Sequence, residues 1–250
     1  MISGMTKYTR DWILKPKPGG APIIPGSTPV VSFGDYTRAS VVSIGLNPSK
    51  REFLYADGTL IRSSARRLAT RASLGIRKGE KMTSEHAEQI WTECCSYFTR
   101  NPLAWFSPLN DLIAETGASY FDGSACHLDL SPWATGHSWG QLTRREKEIL
   151  VWNGREFLKR CLNKSSFRLV VVNGSGVWNE LVRQAIIEPT GEPTSMKPGK
   201  QTRRIFVGRT RSDESGVPVV GWSPHIQRHA GESEFQRRLG DTLMMEEYAQ

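Results

Sequence analysis

The order of apolar runs along the chain predicts an α/β protein, a three-layer α/β/α sandwich built on a central, mostly parallel, four-stranded sheet. Two observations carry the prediction. Four short runs rich in aliphatic residues end abruptly in loops of Gly, Asn, Pro and Ser, as strands covered on both faces do. Between them lie segments whose apolar residues recur at helical spacing, and parallel neighbours need such crossovers. No internal repeat is visible.

Residues 1–37 precede the first strand. The stretch "KPKPGGAPIIPGSTP" holds four prolines between Lys15 and Pro25, and Lys7, Arg10, Lys15 and Lys17 make the segment basic. It reads as an arm that wraps the body, with Ile23, Ile24 and Val30 as anchors. Residues 38–250 read as one domain. A strand at about 40–46 leads through "GLNPSKREF" to a helix with Arg62, Arg66, Arg67 and Arg71 on its polar positions, a stripe suited either to solvent or to phosphates. Thr83-Ser84-Glu85-His86 opens the next helix, capped by Ser or Thr, with Ala87, Ile90, Trp91, Cys94 and Phe98 at helical spacing. Cys94 and Cys95 fall on or beside that face and read as packing residues.

"NPLAWFSPLNDLIAETG" gives a turn and a short helix ending at Gly117, and "SYFDGSACHLDLSPWAT" a second strand interrupted at Pro132. A helix from about Thr143 to Leu162 offers Ile149, Leu150, Trp152, Phe157 and Leu158 as its apolar set. The third strand is the unbroken run Leu169 to Val172, followed by glycines and a helix from Val177 to Ile187. After the basic loop "EPTGEPTSMKPGKQTRR" comes an alternating strand about Ile205 and Val207. "VPVVGWSPHIQRHAG" then supplies the fourth buried strand and a polar loop, and a final amphipathic helix runs from about Glu232 to Tyr248.

The 33 Lys and Arg outnumber the 25 Asp and Glu, for a formal charge of +8. So basic a chain suits an anionic partner, nucleic acid first among them. Cys94, Cys95, Cys126 and Cys161 form no CxxC pair, which argues against a zinc ribbon, an iron–sulfur site of ordinary spacing or a disulfide scaffold. No metal and no cofactor is expected. No run approaches the ~18 apolar residues of a membrane span. The stretch "MISGMTKYTRDW" also lacks a signal-peptide core, so a cytoplasmic, monomeric protein away from membranes is expected.

In an open parallel sheet, functional groups collect beyond the carboxyl ends of the strands. The first strand ends in Gly45, Leu46, Asn47, Pro48 and Ser49; the second in His127, Asp129, Ser131 and Pro132; the third in Asn173, Gly174, Ser175 and Gly176; the fourth in Ser223, Pro224, His225, Gln227 and Arg228. Each has a plainer reading as well. Asn-Pro is a common turn former. Gly174-Ser175-Gly176 either cradles a phosphate or merely permits a tight strand-to-helix turn. It is neither a nucleophile elbow nor a Walker loop. His127 and His225 are each a structural histidine or a functional one. Cys126 lies in an apolar strand context and makes a poor nucleophile.

Taken together, "VVSIGLNPS" resembles the first motif of the uracil-DNA glycosylase superfamily, a Gly-x-Asn-Pro-Gly/Ser loop after the first strand, closest to its mismatch-specific and single-strand-selective branches. "SPHIQR" resembles the second motif, usually His-Pro-Ser or Asn-Pro-Ser, whose loop enters the DNA minor groove. "NPLAWFSPLNDLI" and "HLDLSPWAT" are similar to that superfamily's helix and second-strand segment, and the resemblance spans roughly Val41 to Gly231. It departs at three places. Motif one lacks the water-activating Asp of the most active branch, so Asn47 matches the water-positioning Asn. Motif two has Ser223-Pro224-His225, with Ser and His exchanged, and the family's catalytic histidine falls on His225. Where those enzymes often read uracil with an Asn, Asp129 stands here.

The resemblance implies a monofunctional glycosylase that flips a pyrimidine out of DNA and hydrolyses its N-glycosidic bond. Asn47 holds the attacking water, and His225 stabilises the leaving base. Phe53 or Tyr55 stacks on the base, with Gly45, Leu46 and Asn173 lining the pocket. An Asp only accepts hydrogen bonds, and the exocyclic amine of cytosine donates them, so Asp129 implies a modified cytosine, such as hypermodified phage DNA, rather than uracil. Ser49, Lys50, Arg51, Ser223, Arg228, Lys197, Lys200, Arg203 and Arg204 are the expected DNA contacts, and Gln227 fills the vacated stack. Two rivals stand beside this: a nucleic-acid-binding module that kept the fold and lost catalysis, and an α/β enzyme that binds a phosphorylated small molecule at the Gly-Ser-Gly turn.

Overall fold

The unbroken aliphatic run Leu169 to Val172 forms the middle of a sheet. In a computed structural model that describes residues 4–164, 166–197, 202–211, 216–228 and 233–248, the strands are β1 Val41–Gly45, β2 Ala125–Asp129, β3 Leu169–Asn173, β4 Ile187–Pro189, β5 Thr194–Met196, β6 Arg203–Thr210 and β7 Pro218–Ser223. Their order is β2-β1-β3-β7-β6-β4, with β5 also on β6. β3 lies parallel to β1 (Val42 opposite Val170) and to β7 (Val171 opposite Val220). β6 runs antiparallel to β7, and β4 and β5 antiparallel to β6.

The fold is therefore α/β, as predicted, but the sheet is mixed and seven-stranded rather than mostly parallel and four-stranded. The connection from β6 to β7 is too short for a crossover, so the chain must return antiparallel. β4 and β5 span three mostly exposed residues each and carry no apolar period from which to predict them. The α-helices among the described residues are α1 Lys7–Ile13, α2 Ser84–Cys95, α3 Ser107–Ala114, α4 Arg144–Lys164, α5 Ser175–Arg183 and α6 Ser233–Tyr248. None of the described helices is long and apolar enough to cross a membrane.

The chain groups into two compact units. The first comprises residues 4–36, 46–103 and 128–158. The segment expected to be an arm is part of its core: Trp12 packs on Phe157 (4.8 Å between ring centroids), Tyr36 meets Trp91 edge-on, and the Thr9 and Tyr36 hydroxyls hydrogen-bond at 2.7 Å. Ile23, Ile24 and Val30 are buried, as expected of anchors. α2 has the predicted cap, a box in which Thr83 and His86 serve each other's backbone. Its buried face is Ala87, Ile90, Trp91 and Cys94, and burial pushes the Cys94 thiol up to about 11, as suits a packing residue.

The arginine-bearing helix predicted over 62–71 does not form. A single 3-10 turn at Ser63–Ala65 stands there, and the chain stays irregular to Thr83, passing Gly75 and Gly79 at positive φ. Three of the four arginines brace neighbouring chain instead of lining a stripe: Arg66 pairs with Glu93 of α2, Arg67 donates to the Arg51 carbonyl, and Arg71 donates to the carbonyls of Arg77 and Glu80. On α4, Leu150, Phe157 and Leu158 are buried, but Trp152 is 70% exposed and stacks beneath Arg155.

The second unit comprises residues 37–45, 104–127 and 159–248 and holds the sheet apart from the end of β2. Trp178 of α5 covers Gly221 of β7 and stacks on Phe206 of β6.

In the first unit α4 crosses the exit of β2 so closely that a Cβ on Gly154 would lie 1.9 Å from the Leu130 carbonyl oxygen. Backbone cannot retreat as a side-chain tip can. Gly154→Ala is expected to cost about 1–3 kcal/mol or more through overpacking, read as a lowered urea midpoint with an unchanged m-value.

Candidate functional site

In the first unit the polar loop after β1 is shaped by its own backbone needs. The Leu46 carbonyl accepts from Ser131 N (2.9 Å), Pro48 is buried, and Ser49 caps a 3-10 turn, Lys50–Glu52, by accepting from Arg51 N. Asn47 is half-buried. Its Nδ2 donates to Thr135 Oγ1 (3.1 Å) and faces the carbonyl oxygens of Pro48 (3.3 Å) and Trp133 (3.4 Å). Carbonyls only accept, so the nitrogen must be the atom that faces them. The opposite atom, Oδ1, has no hydrogen-bond partner among the described residues. Asn47 thus presents an oriented acceptor, the group needed to hold a water by its proton.

The 3-10 turn also buries Glu52, which is not among the site residues the sequence predicts. Glu52 is 2% exposed, and the Tyr97 hydroxyl donates to both carboxyl oxygens at 2.9 and 3.0 Å while accepting from Leu103 N. Burial pushes its pKa from an ordinary carboxylate value up to about 8; the Tyr97 hydrogen bond and Arg67 oppose the rise, and the neighbouring Asp129 carboxylate adds to it. Asp129, half-buried at the end of β2, is therefore near enough to be felt by Glu52. In "SKREF" nothing distinguishes this Glu from its solvated neighbours Lys50 and Arg51; the adjoining Phe53 was the one hint that the turn rolls inward.

Phe53 is 1% exposed, so its ring faces are spent on the core and offer no platform to a base. Tyr55, at 47%, keeps its ring in solvent. Ser49, Lys50 and Arg51 are exposed, as DNA contacts must be.

In the second unit the buried Asn173 at the end of β3 has its amide committed. Its Oδ1 accepts from Trp222 Nε1 and Ile226 N (2.9 Å each), and Nδ2 donates to Gln227 Oε1 (3.0 Å). Gln227 in turn donates to the Trp105 carbonyl (2.9 Å). Asn173 is thus a clamp for the 224–227 loop rather than a base reader, and Gln227 is held in that clamp rather than free to fill a stack. The Ser223 hydroxyl donates to that of Ser175 (3.2 Å), and the Ser223–Pro224 bond is cis.

His225 is exposed and lies over Gly174: a Cβ there would come 2.8 Å from the imidazole Nε2, and Gly174 sits at φ 110°. Close approach and backbone both demand glycine, which accounts for the first glycine of the Gly-Ser-Gly turn without a phosphate. His127 is a satisfied histidine, with Nδ1 2.6 Å from Ser43 Oγ and Trp105 and Phe106 against its ring. Cys126 is buried. Arg203 is buried and Arg204 exposed, so of the two only Arg204 can meet a phosphate. Gly45 and Leu46 are half-buried and Lys197 is exposed. Lys200 and the Arg228 side chain lie outside the described residues. Among the described residues no group of three His, Cys, Asp or Glu could hold a metal ion.

No family model matches the chain, and no curated protein is detectably similar to it in sequence.

The buried carboxyl predicts a pH dependence. Glu52 binds its proton more tightly folded than unfolded, so the stability it contributes is complete below about pH 4.5 and is lost as pH rises toward about 8. Glu52→Gln keeps an acceptor for Tyr97 without a charge. The parent should lose up to about 1.4 kcal/mol per pH unit relative to the variant across that window, measured by urea unfolding at several pH values. Parallel curves would remove Glu52 as the buried titrating group.

Proposed function

We propose that the protein is a monofunctional DNA glycosylase on a variant of the uracil-DNA glycosylase sandwich, acting as a monomer in the cytoplasm. It flips a pyrimidine from DNA and hydrolyses its N-glycosidic bond, leaving an abasic site. The observation that carries this reading is Asn47. Its amide nitrogen is tied to Thr135 and faces the Trp133 carbonyl, and Oδ1 is left as an oriented acceptor.

As the bond to the base weakens, positive charge grows on the sugar and negative charge on the base. A water hydrogen-bonded to Asn47 Oδ1 attacks the anomeric carbon, the base leaves with the bonding electrons, and the water's proton passes to solvent. The role on the leaving base falls to His225, an exposed imidazole on a clamped loop that can direct a hydrogen bond at developing charge. Asp129 reads the base edge, and a carboxylate favours an amine donor, hence a modified cytosine. Below about pH 8 Glu52 adds no second negative charge beside it. Tyr55 is the exposed ring for stacking on the flipped base.

A second reading, a binding module without catalysis, is favoured by one feature: the exchange of Ser and His in motif two. The two readings separate on incubation with oligonucleotides carrying uracil, hydroxymethyluracil, or hydroxymethylated or glucosylated cytosine. Free base and alkali-labile sites are expected from at least one, best from a modified cytosine. Retention of DNA at low salt with every substrate intact selects the binding module instead. Asn47→Ala and His225→Ala should each slow excision by about 10²–10³-fold, the loss typical of one directed hydrogen bond on developing charge. Asp129→Asn should shift preference toward uracil; unchanged base choice removes Asp129 from the pocket.

A further inference from the structure

The first unit contains a cavity of about 590 Å³ that none of the expected DNA contacts lines. Its cations are Lys15, Lys17, Arg71, Lys78 and Lys81, and its one carboxylate is Glu80. Arg71 is spent on the carbonyls of residues 77 and 80, and Glu80 accepts from Arg77 N. The four lysines are exposed, and none of their ammonium groups has a hydrogen-bond or ion-pair partner among the described residues. A cavity of similar size in the second unit is lined by Asp111, Glu115 and Asp241 against Arg237 alone, so basic character is not a general property of this chain's concavities.

Both walls are built rather than loose. Lys15 and Lys17 follow α1, whose Trp12 and Ile13 are buried and whose end is closed by Leu14 N donating to the Arg10 carbonyl. The opposite wall is closed by Arg71 and joined to the floor by Arg71 N donating to the Gly26 carbonyl (2.9 Å). Trp133 also lines the cavity, and its carbonyl is one of those facing Asn47 Nδ2. It is buried and exposes no ring for stacking. The cavity thus offers several unpaired point charges on two walls and no group that reads bases, the chemistry of a sequence-independent phosphodiester site.

We propose that this cavity is a backbone groove that grips the DNA strand beside the nucleotide handled at Asn47. The partner rests on the glycosylase reading; the groove's charge and shape do not. The test is the affinity of the full chain for a fluorescent single-stranded oligonucleotide with unmodified bases, followed by anisotropy from roughly 50 to 200 mM salt. Lys15→Ala with Lys17→Ala, and Lys78→Ala with Lys81→Ala, should each weaken binding. Each pair should also flatten the slope of log affinity against log salt by about 1.4, at about 0.7 per lost phosphate contact.

Thermal melts at the parent's midpoint show that the variants are folded. Arg145→Ala with Lys147→Ala, cations on α4 outside the cavity, should leave the slope unchanged. Parent-like slopes for the cavity variants, or an equal loss in the α4 variant, overturn the groove. So does tighter, lysine-dependent binding of inorganic tripolyphosphate, which would make it a small-anion site. Because the oligonucleotide carries no excisable base, absence of glycosylase activity leaves this result standing, and excision with an unmoved salt slope defeats the groove alone.

Discussion

A strand buried on both faces can carry no polar function along its length, and β3 is such a strand: Leu169 to Val172 are all inaccessible, with parallel neighbours on either side. Its first polar side chain is Asn173, itself 3% exposed. A buried amide must have its hydrogen bonds satisfied or cost about 1–3 kcal/mol per orphaned group. Asn173 satisfies them with Trp222, Ile226 and Gln227, and so fixes the loop that carries His225. The position of the exposed imidazole is thus a consequence of burying β3. Gly174 follows for the same reason, since the imidazole occupies the space where a side chain would project.

The first unit meets a parallel constraint with a carboxyl group. Glu52 is taken out of water by the turn that Ser49 caps, and the Tyr97 hydroxyl is its one hydrogen-bond donor among the described residues. A neutral carboxylic acid tolerates that environment far better than a carboxylate, and the raised pKa expresses the difference. Asp129 stands close by. Two carboxyl groups held near each other in different environments can serve different purposes, one carrying a proton and the other accepting hydrogen bonds. Burial therefore sets the charge beside Asp129 as much as the sequence of the turn does.

What the sequence disclosed follows the strength of local signals. β1, β3, β7 and α2 were legible because continuous aliphatic runs and a capped helical period leave little choice of conformation. Asn47 and His225 were legible as strand-end groups for the same reason. β4 and β5 were not, because their pairing with β6 comes from the sheet's edge and not from their own residues. The Pro-rich segment was legible as a wrapping piece with Ile23, Ile24 and Val30 as anchors, whereas the core aromatics that flank it, Trp12, Phe33 and Tyr36, carry no pattern that announces them. Phe53 and Asn173 look like ligand contacts in sequence because position along the chain cannot separate a residue that faces a pocket from one that braces it. For Glu52 the sequence offers only the adjoining Phe53, because a three-residue turn has no period to show that it rolls inward.

The exchanged order in motif two has a physical reading that order alone conceals. A histidine before the proline would stand where Ser223 stands, half-buried, with its hydroxyl engaged by Ser175. Two residues on, the chain has left the strand and passed the proline, and the next side chain is exposed while its backbone neighbour Ile226 is clamped by Asn173. Exposure and fixed position together are what a group directed at a leaving base requires. Ser223 has the second without the first. The exchanged order thus puts the exposed, positioned side chain at residue 225 rather than at residue 223.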